Sequence, residues 1–342
     1  MGKIKCVVWD LDNTVWDGAL TEGEVTLKSD IVDIIRELDK RGILQSVCSK
    51  NDAGYTMEKL KEFGIDEYFL YPQINWNPKS ENIRTICKSF NFGIDAIAFV
   101  DDQQFELDEV SFNIPEVLCI NAENADAIPD MDEFIPLYIT EDSKNRRHLY
   151  MNDIVRNDEE SRFEGTSEEF LSTLGMRFII RRAQKEDLKR VEELTVRTHQ
   201  LNSTGTVYSF DELNEMIGSD KYEVIVVQLT DKYGDYGKIG VSVIEKEEGK
   251  WHLKMLLMSC RVMSKGVGSV LLKYIVNSAM DSNVKLYADF ISTDRNRIMY
   301  VTYKFTGFRE ISKNGDVIQL VSEAEKPFKY PDYIDVDADI EF

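Results

Sequence analysis

The chain has 342 residues, with 62 acidic and 41 basic side chains and a formal net charge of −21. Hydrophobic residues at 43% and charged residues at 30% are typical of a soluble globular protein and argue against a disordered chain. The acidic balance argues against a protein that binds nucleic acid or an anionic membrane surface, because both need clustered Lys and Arg. The length suits two domains.

The cysteines and the N-terminus indicate the cellular compartment. The five cysteines are widely spaced and form no C-x-x-C pair, so the sequence offers no structural zinc site. The first apolar run ends at Asp10, which is too short for a signal peptide, and no apolar run of about 18 residues occurs. We therefore expect a cytoplasmic protein with reduced thiols.

From residue 4 to 120, short apolar runs alternate with segments of helical periodicity. Such runs are typical of buried parallel strands in βαβ units. The predicted strands are IKCVVWDLD, ILQSVCSKND, YFLYP, AIAFVDD and EVLCIN, and the predicted helices are SDIVDIIRELDKRG, YTMEKLKEFG and ENIRTICKSFNFG. Residues 1–145 are therefore predicted to form an open α/β sheet with its site at the carboxyl ends of the strands.

The rest of the chain divides into three segments. Residues 146–175 are predicted to be a polar helical linker, with Ser167 as an N-cap. Residues 176–325 show the order strand, helix, three strands, helix, strand, helix, strand, which indicates a second α/β domain. The acidic tail, residues 326–342, is predicted to be a loosely held strap or a disordered end.

Side chains that suit phosphate and metal chemistry stand at the ends of the predicted strands. They are Asp10, Asp12, Ser49, Lys79, Asp101 and Asp102. Converging carboxylates repel each other unless a cation neutralises them, and Mg²⁺ prefers such oxygen ligands. The sequence therefore predicts a magnesium and phosphate site at one edge of the sheet.

These residues resemble the motifs of the haloacid dehalogenase-like phosphotransferases. The pattern D-x-D-x-T begins at Asp10, and a Ser, a Lys and a D-D pair follow in order at Ser49, Lys79, Asp101 and Asp102. The resemblance implies that Asp10 is the nucleophile and Asp12 the general acid and base. It implies that Ser49, Lys79, Asn13 and Asn51 bind phosphate. It further implies that Mg²⁺ is bound by Asp10, the backbone carbonyl of Asp12, Asp101 and Asp102.

The intervals between the motifs leave no room for a lid domain. Only 36 residues separate Asp12 from Ser49, and 29 separate Ser49 from Lys79. Each interval is used up by one helix with its strand or loop, so the domain is predicted to be uncapped. An open site favours a substrate carried by a macromolecule.

Longer segments resemble the FkbH-like family, in which such a domain is fused to an acetyltransferase-like (GNAT-like) domain. They are DLDNTVWDG, CSKND, INWNPKSENI, AFVDDQQFE, RTHQLNSTG and SCRVMSKGVG. The resemblance implies an enzyme that dephosphorylates 1,3-bisphosphoglycerate, a phosphorylated three-carbon substrate. The glyceryl group then passes to the phosphopantetheine thiol of an acyl carrier protein. The alternative is a Mg²⁺-dependent phosphatase of another substrate whose second domain only binds.

Cys48 has two interpretations. The family resemblance implies a thiol that carries the glyceryl group, and Cys48 next to Ser49 is the candidate. On a regular strand, however, Cys48 faces away if Ser49 faces the site. In that case Cys48 is a small buried hydrophobic residue.

The second domain contains a candidate loop for the phosphopantetheine arm. The acetyltransferase-like fold binds the pyrophosphate of CoA through a glycine loop that opens a helix. Here both glycines, Gly266 and Gly268, are present, and Met263 replaces the expected Arg or Gln, so Arg261 and Lys265 would supply the charge. His199 and Asn202 are predicted to line the same pocket.

Two further predictions concern the surface and the core. Acyl carrier proteins are acidic, so docking onto this acidic chain needs a local basic patch. The candidates are Arg146–Arg147 and Arg177 with Arg181–Arg182. Phe305 and Phe308 are predicted to be core residues.

Overall fold

The apolar runs near the N-terminus, which alternate with helices, form a five-stranded, fully parallel sheet. Its strand order is β5-β4-β1-β6-β7. The computed structural model describes residues 4–340, apart from the side chain of Ser264. The sheet strands are β1 (Cys6–Trp9), β4 (Leu44–Ser49), β5 (Gln73–Ile74), β6 (Ile97–Asp101) and β7 (Leu118–Asn121). A small hairpin is formed by β2 (Trp16–Asp17) and β3 (Thr26–Leu27). The helices are α1 (Ser29–Lys40), α2 (Ala53–Glu62), α3 (Lys79–Phe90), α4 (Gln104–Asn113) and α5 (Glu141–Lys144).

This unit is uncapped, as the motif spacing predicts, and it has the haloacid dehalogenase-like fold that the motif resemblance implies. Strands β1, β4 and β6 are fully buried, and apolar side chains of α1 pack on the sheet. Only the hairpin, α1 and β4 lie between Asp12 and Ser49, and only α2 and β5 with a short turn lie between Ser49 and Lys79. In the described chain, neither interval holds a lid domain.

The predicted strand YFLYP is wrong in position. Phe69 makes a single parallel bridge to Gln45, and the regular strand β5 begins only at Gln73. Tyr71 has a positive φ of 52°, and Pro72 has no backbone N–H to donate. A regular strand therefore cannot run through this segment.

The chain divides into two compact units after Asp153, within helix α6 (Arg146–Arg162). The second unit contains an eight-stranded mixed sheet in the order β13-β14-β12-β11-β10-β9-β8-β15. Its strands are β8 (Met176–Arg182), β9 (Tyr222–Asp231), β10 (Gly234–Glu247), β11 (Lys250–Met258), β12 (Lys285–Ile291), β13 (Phe308–Asn314), β14 (Val317–Ser322) and β15 (Ile334–Asp339). Its helices are α7 (Ser167–Ser172), α8 (Leu188–Arg197), α9 (Phe210–Ile217), α10 (Val270–Asp281) and α11 (Arg297–Phe305).

The second unit is the predicted acetyltransferase-like α/β fold. Most strand pairs are antiparallel, but β11 and β12 are parallel and pair only over Lys250–Leu253 and Lys285–Ala288. Beyond these residues the two strands diverge. The elements α9, β13 and β15 were not predicted.

The acidic tail is not the loose strap that its composition predicts. Residues Ile334–Asp339 form β15, which pairs in parallel with β8 at the edge of the sheet. Asn277 of α10 also donates to the carbonyl of Phe328 and accepts from its N–H, at 3.0 and 2.8 Å. The tail is held by apolar contacts and backbone pairing, which a count of acidic residues does not reveal.

Three local predictions have mixed outcomes. Phe308 is a core residue as predicted, but Phe305 is 84% exposed, because the buried face of α11 is formed by Met299 and Tyr303. The N-cap of α7 is Thr166 rather than Ser167, since the Thr166 hydroxyl accepts from the N–H of Glu169. Among residues 4–340, no helix combines the length and apolar character needed to cross a bilayer.

Candidate active site

Two carboxylates and one lysine form a buried cluster at the carboxyl edge of the first sheet. Asp10 follows β1, and Asp101 ends the neighbouring strand β6. Lys79, the first residue of α3, donates from Nζ to Asp10 Oδ1 at 2.7 Å and also to Asp101. All three side chains are buried. The structure therefore brings together three residues that lie far apart in the sequence.

The electrostatics of this cluster are dominated by burial. Burial raises the pKa of Asp10 to about 7, while Lys79 lowers it and the charges of Asp101 and Asp102 raise it further. Burial likewise raises the pKa of Asp101, against the effect of Lys79. Burial alone would lower the pKa of Lys79, but its two carboxylate partners outweigh it and raise that pKa. One ammonium group thus faces several carboxylates, an arrangement that favours a further cation.

The donor set fits Mg²⁺. One carboxylate oxygen from each of Asp10, Asp101 and Asp102 lies within 4.8 Å of the others. In the described structure, Asp102 Oδ1 is buried and has no hydrogen-bond partner. An unsatisfied buried carboxylate oxygen is costly unless a cation occupies its free lone pairs. These three carboxylates are therefore the side chains that would hold the metal.

The carboxylate of Asp12 lies outside that cluster and is oriented by three donors. Oδ1 accepts from the indole N–H of Trp16 at 2.8 Å and the backbone N–H of Leu20 at 3.1 Å. Oδ2 accepts from Asn51 Nδ2 at 3.0 Å. Asn51 Nδ2 also lies 3.2 Å from the hydroxyl of Ser49, at the end of β4. The structure thus connects Asp12, Ser49 and Asn51 in one network, and the metal role predicted for Asp12 involves only its backbone carbonyl.

Two neighbours of Asp12 have other contacts. Asn13 has a φ of 54°, and its Oδ1 accepts from the N–H of Gly18 at 3.1 Å, so this oxygen closes a turn. The hydroxyl of Thr14 is buried and accepts from the backbone N–H of Asp102 at 3.1 Å. No role was predicted from the sequence for Thr14 or Trp16. The threonine of the D-x-D-x-T motif was the available signal.

Cys48 has the environment of a structural thiol. Its side chain is fully buried, and Sγ lies 3.9 Å from the backbone carbonyl of Lys79. Burial raises the pKa of Cys48 to about 12. A nucleophilic cysteine is usually accessible and has a lowered pKa, and Cys48 has neither property.

The pantetheine residues predicted in the second unit differ in their surroundings. Arg261 donates from Nη2 to the carbonyl of Tyr236 at 2.7 Å. The Lys265 side chain is buried, with Nζ 3.7 Å from a carboxylate oxygen of Glu160. Gly266 has a φ of 69°, and the hydroxyl of Tyr333 occupies the space that a Cβ atom would need. Gly268 has open space at that position, and His199 is exposed.

Asn202 is fully buried because its segment fills the space where β11 and β12 diverge. The N–H of Met258 donates to the carbonyl of Leu201 at 2.8 Å, and the N–H of Ser203 donates to the carbonyl of Leu256 at 2.9 Å. The N–H of Ile291 in β12 donates to the carbonyl of Ser203 at 2.9 Å. Asn202 therefore lies inside the fold, in the filled gap between the two strands.

The basic patches predicted from the sequence are also wrong. Arg146 and Arg147 are buried, and they donate to the carbonyl of Gly42 and to Asp39 and Glu67. The three others are paired with carboxylates: Arg177 with Asp337, Arg181 with Asp187, and Arg182 with Glu223. Four of these five arginines are therefore already paired with carboxylates, and Arg146 is buried against a backbone carbonyl.

Comparison with family models gives no match, and comparison with curated proteins gives none either. Solved structures similar to the chain include the N-terminal part of a Bacteroides fragilis protein that contains a phosphatase domain and was complexed with Mg. It is 27% identical with a TM-score of 0.32, and the match covers 43% of this chain and 39% of that one.

Other similar structures are N-acetyltransferases. The PaiA N-acetyltransferase of Thermoplasma acidophilum, in complex with coenzyme A, is 15% identical with a TM-score of 0.35. The ribosomal-protein-S18-alanine N-acetyltransferase of Escherichia coli is 15% identical with a TM-score of 0.34. The matches cover 43% and 45% of this chain and 99% of each of those.

Proposed function

We propose that the first unit is a Mg²⁺-dependent phosphotransferase of the haloacid dehalogenase type. The observation that carries the proposal is the Lys79 ammonium between Asp10 and Asp101, beside the unsatisfied Oδ1 of Asp102. When bound, Mg²⁺ supplies charge neutralisation for a phosphoryl group at this edge of the sheet.

The residues divide the chemistry between them. An Asp10 oxygen attacks phosphorus in line, the ester bond to the leaving oxygen breaks, and Asp12 donates a proton to that oxygen. Water then attacks the aspartyl phosphate while Asp12 accepts its proton, which releases phosphate and restores Asp10. Trp16 and Asn51 hold the Asp12 carboxylate in place, and Lys79 and Ser49 stabilise the phosphoryl oxygens.

We further propose that the substrate derives from 1,3-bisphosphoglycerate and that the acceptor is the phosphopantetheine thiol of a carrier protein. Attack of the thiol on the acyl carbon forms a thioester and expels the first phosphate. The Asp10 chemistry removes the second phosphate as inorganic phosphate. Support comes from the uncapped site, which leaves room for a carrier-borne arm, and from the FkbH-like segments along the chain.

Cys48 as an intermediate glyceryl carrier stays a prediction. Loading this thiol requires the end of β4 to open, because the side chain is fully buried and its pKa is raised to about 12. Direct attack by the carrier thiol needs no such opening.

The test is intact-protein mass spectrometry with Mg²⁺, fresh 1,3-bisphosphoglycerate and a carrier protein bearing its arm. We expect a glyceryl mass on the carrier that is lost in Asp10→Asn and kept in Asp17→Asn, a matched change at an exposed carboxylate. A glyceryl mass on the chain itself that disappears in Cys48→Ala assigns the intermediate to Cys48. Phosphate release without any acyl adduct contradicts the transfer proposal and leaves a phosphatase.

One observation favours that second candidate, a phosphatase whose second unit only binds. The backbone of Leu201–Ser203 already forms hydrogen bonds with β11 and β12 where these strands diverge. The hydroxyl of Tyr333 lies against Gly266 of the glycine loop. The same experiment separates the two functions.

A further inference from the structure

Helix α11 exposes an apolar line on the side opposite its buried face. Ile298, Val301 and Phe305 are 46%, 37% and 84% exposed. Met299 and Tyr303 are buried and pack into the core of the second unit. At about 100° per residue, the exposed three lie within one narrow sector, roughly opposite the sector of the buried two. The helix is therefore apolar on two faces, and residues 4–340 cover only one of them.

Two cations run beside this apolar line. Arg297 and Lys304 are exposed and lie seven residues apart, so they point in nearly the same direction. Within the described chain neither side chain makes a hydrogen bond or an ion pair, in contrast to the paired arginines of β8. The nearby carboxylates are engaged elsewhere: Asp294 lies 3.7 Å from Arg295, and Glu310 accepts from the hydroxyl of Tyr300. A chain with a net charge of −21 thus presents unneutralised positive charge here.

Hydrogen bonds connect the start of α11 to the segment that lies where β11 and β12 diverge. Asn296, which directly precedes the helix, donates to the carbonyl of Asn202 at 3.0 Å and to the carbonyl of Ile291 at 2.8 Å. A partner seated on α11 would therefore lie next to the segment that fills this divergence. The helix position is fixed by buried hydrogen bonds, which suits a preformed docking surface.

We propose that the exposed face of α11 docks an acidic amphipathic helix of the carrier protein. This face, here called the α11 surface, consists of Arg297, Ile298, Val301, Lys304 and Phe305. An apolar line flanked by cations is complementary to a helix with apolar residues on one face and carboxylates beside them. The proposal rests on the proposed function for the identity of the partner. Its test measures docking without catalysis.

The experiment measures binding of a fluorescently labelled fatty-acid acyl carrier protein in its apo form, without the phosphopantetheine arm, to the full chain at low salt. We expect the Arg297→Glu/Lys304→Glu double variant to weaken binding by about tenfold or more, and Phe305→Ala by about fivefold. Added salt should weaken binding to the wild type and have little effect on the double variant.

Matched controls are Lys88→Glu and Phe112→Ala, which change an exposed cation and an exposed aromatic residue on helices of the first unit. Both should bind as the wild type does, and circular dichroism verifies the fold of every variant. Unchanged binding in the α11 variants, equal losses in the controls, or no binding at about 1 mM overturns the proposal.

The outcome is separable from that of the proposed function. Glyceryl transfer that is insensitive to the α11 variants overturns the docking surface and leaves the enzyme assignment in place. Binding through the α11 surface without glyceryl transfer supports the docking surface and overturns the glyceryl-transfer assignment.

Discussion

At the scale of single residues, the first unit concentrates more negative than positive charge in one buried cluster. Lys79 neutralises part of it, and the buried oxygen of Asp102 is left without a partner in the described structure. Such a cluster is stable only if protons or a metal ion supply the missing positive charge.

The first prediction is that Mg²⁺ stabilises the fold through Asp102. A ligand at about 100 times its Kd adds about 2.7 kcal/mol to the free energy of unfolding, so Mg²⁺ should raise Tm by several degrees. Asp102→Asn should lose most of that rise, whereas Asp17→Asn, at an exposed position, should keep it. Differential scanning fluorimetry with and without Mg²⁺ measures this, and a full shift in Asp102→Asn contradicts the assigned ligand.

The second prediction concerns Thr14, whose hydroxyl accepts from the N–H of Asp102. Thr14→Val leaves that buried N–H without a partner, at a cost of about 1–2 kcal/mol in unfolding free energy. Because Asp102 is then less well positioned, the Mg²⁺ affinity should fall by about tenfold. Thr14→Ser retains the hydroxyl and should restore both values in calorimetry; failure of this rescue would show that the methyl group matters instead.

The third prediction links Asp187 to pH. Asp187 is buried and accepts from Arg181 at 2.6 and 2.8 Å and from the N–H of Gln184 at 2.8 Å. Burial would raise the pKa of Asp187, but these bonds outweigh it and lower that pKa. The stabilisation is therefore present above the unfolded pKa of about 4 and is lost as pH falls through the folded pKa.

Asp187→Asn should accordingly cost about 2–3 kcal/mol at neutral pH, and this difference from the wild type should shrink at acidic pH. Urea unfolding at a series of pH values measures it. Glu186→Gln, at an exposed neighbouring position, is the matched control. A cost that does not change with pH would mean that Asp187 contributes through shape alone.

At the scale of elements, the fourth prediction couples the glycine loop before α10 to the tail. Gly266→Ala places a Cβ in a left-handed conformation, at about 1 kcal/mol, and pushes it against the hydroxyl of Tyr333. Tyr333→Phe removes that hydroxyl. The double variant should therefore be more stable than the sum of the two single changes predicts, by about 1 kcal/mol. If chemical denaturation shows that the losses in unfolding free energy are additive, the tail moves aside at no cost when the Cβ atom is added.

The elements predicted best are those whose local signals and burial agree. Helix α1 begins at Ser29 and ends before Gly42, which has a φ of 72°, and β1 and β6 follow their apolar runs. The tail strand β15 was missed because its stabilisation comes from pairing with β8, a neighbour distant in sequence. Local composition does not contain that information.

In the site, too, residues with local signals were predicted, and those that depend on distant contacts were not. Strand ends and motif order predicted that Asp10, Lys79 and Asp101 meet, since parallel strands bring their carboxyl ends to one edge. The burial of Asn202 and Lys265 was not predictable from their motifs. It depends on contacts with Leu257 and Glu160, which only the folded second unit supplies.

At the scale of the whole molecule, the fifth prediction follows from the net charge of −21. Mutual repulsion destabilises the compact state and is screened by salt. Raising NaCl from about 20 to about 300 mM should therefore increase Tm by a few degrees, measured by scanning fluorimetry. A decrease would mean that surface ion pairs, such as Arg309 with Glu323, contribute more than the repulsion costs.

The pairing of β8 with β15 has a consequence for synthesis of the protein on the ribosome. β8 is the first strand of its sheet along the chain, and within residues 4–340 its outer edge is paired with Ile334–Asp339. During translation that edge is without its neighbour until those residues have left the exit tunnel. An unpaired strand edge is a template for aggregation. The nascent second unit is therefore expected to depend on chaperones, or on rapid synthesis of the chain through Asp339, more than its finished fold suggests.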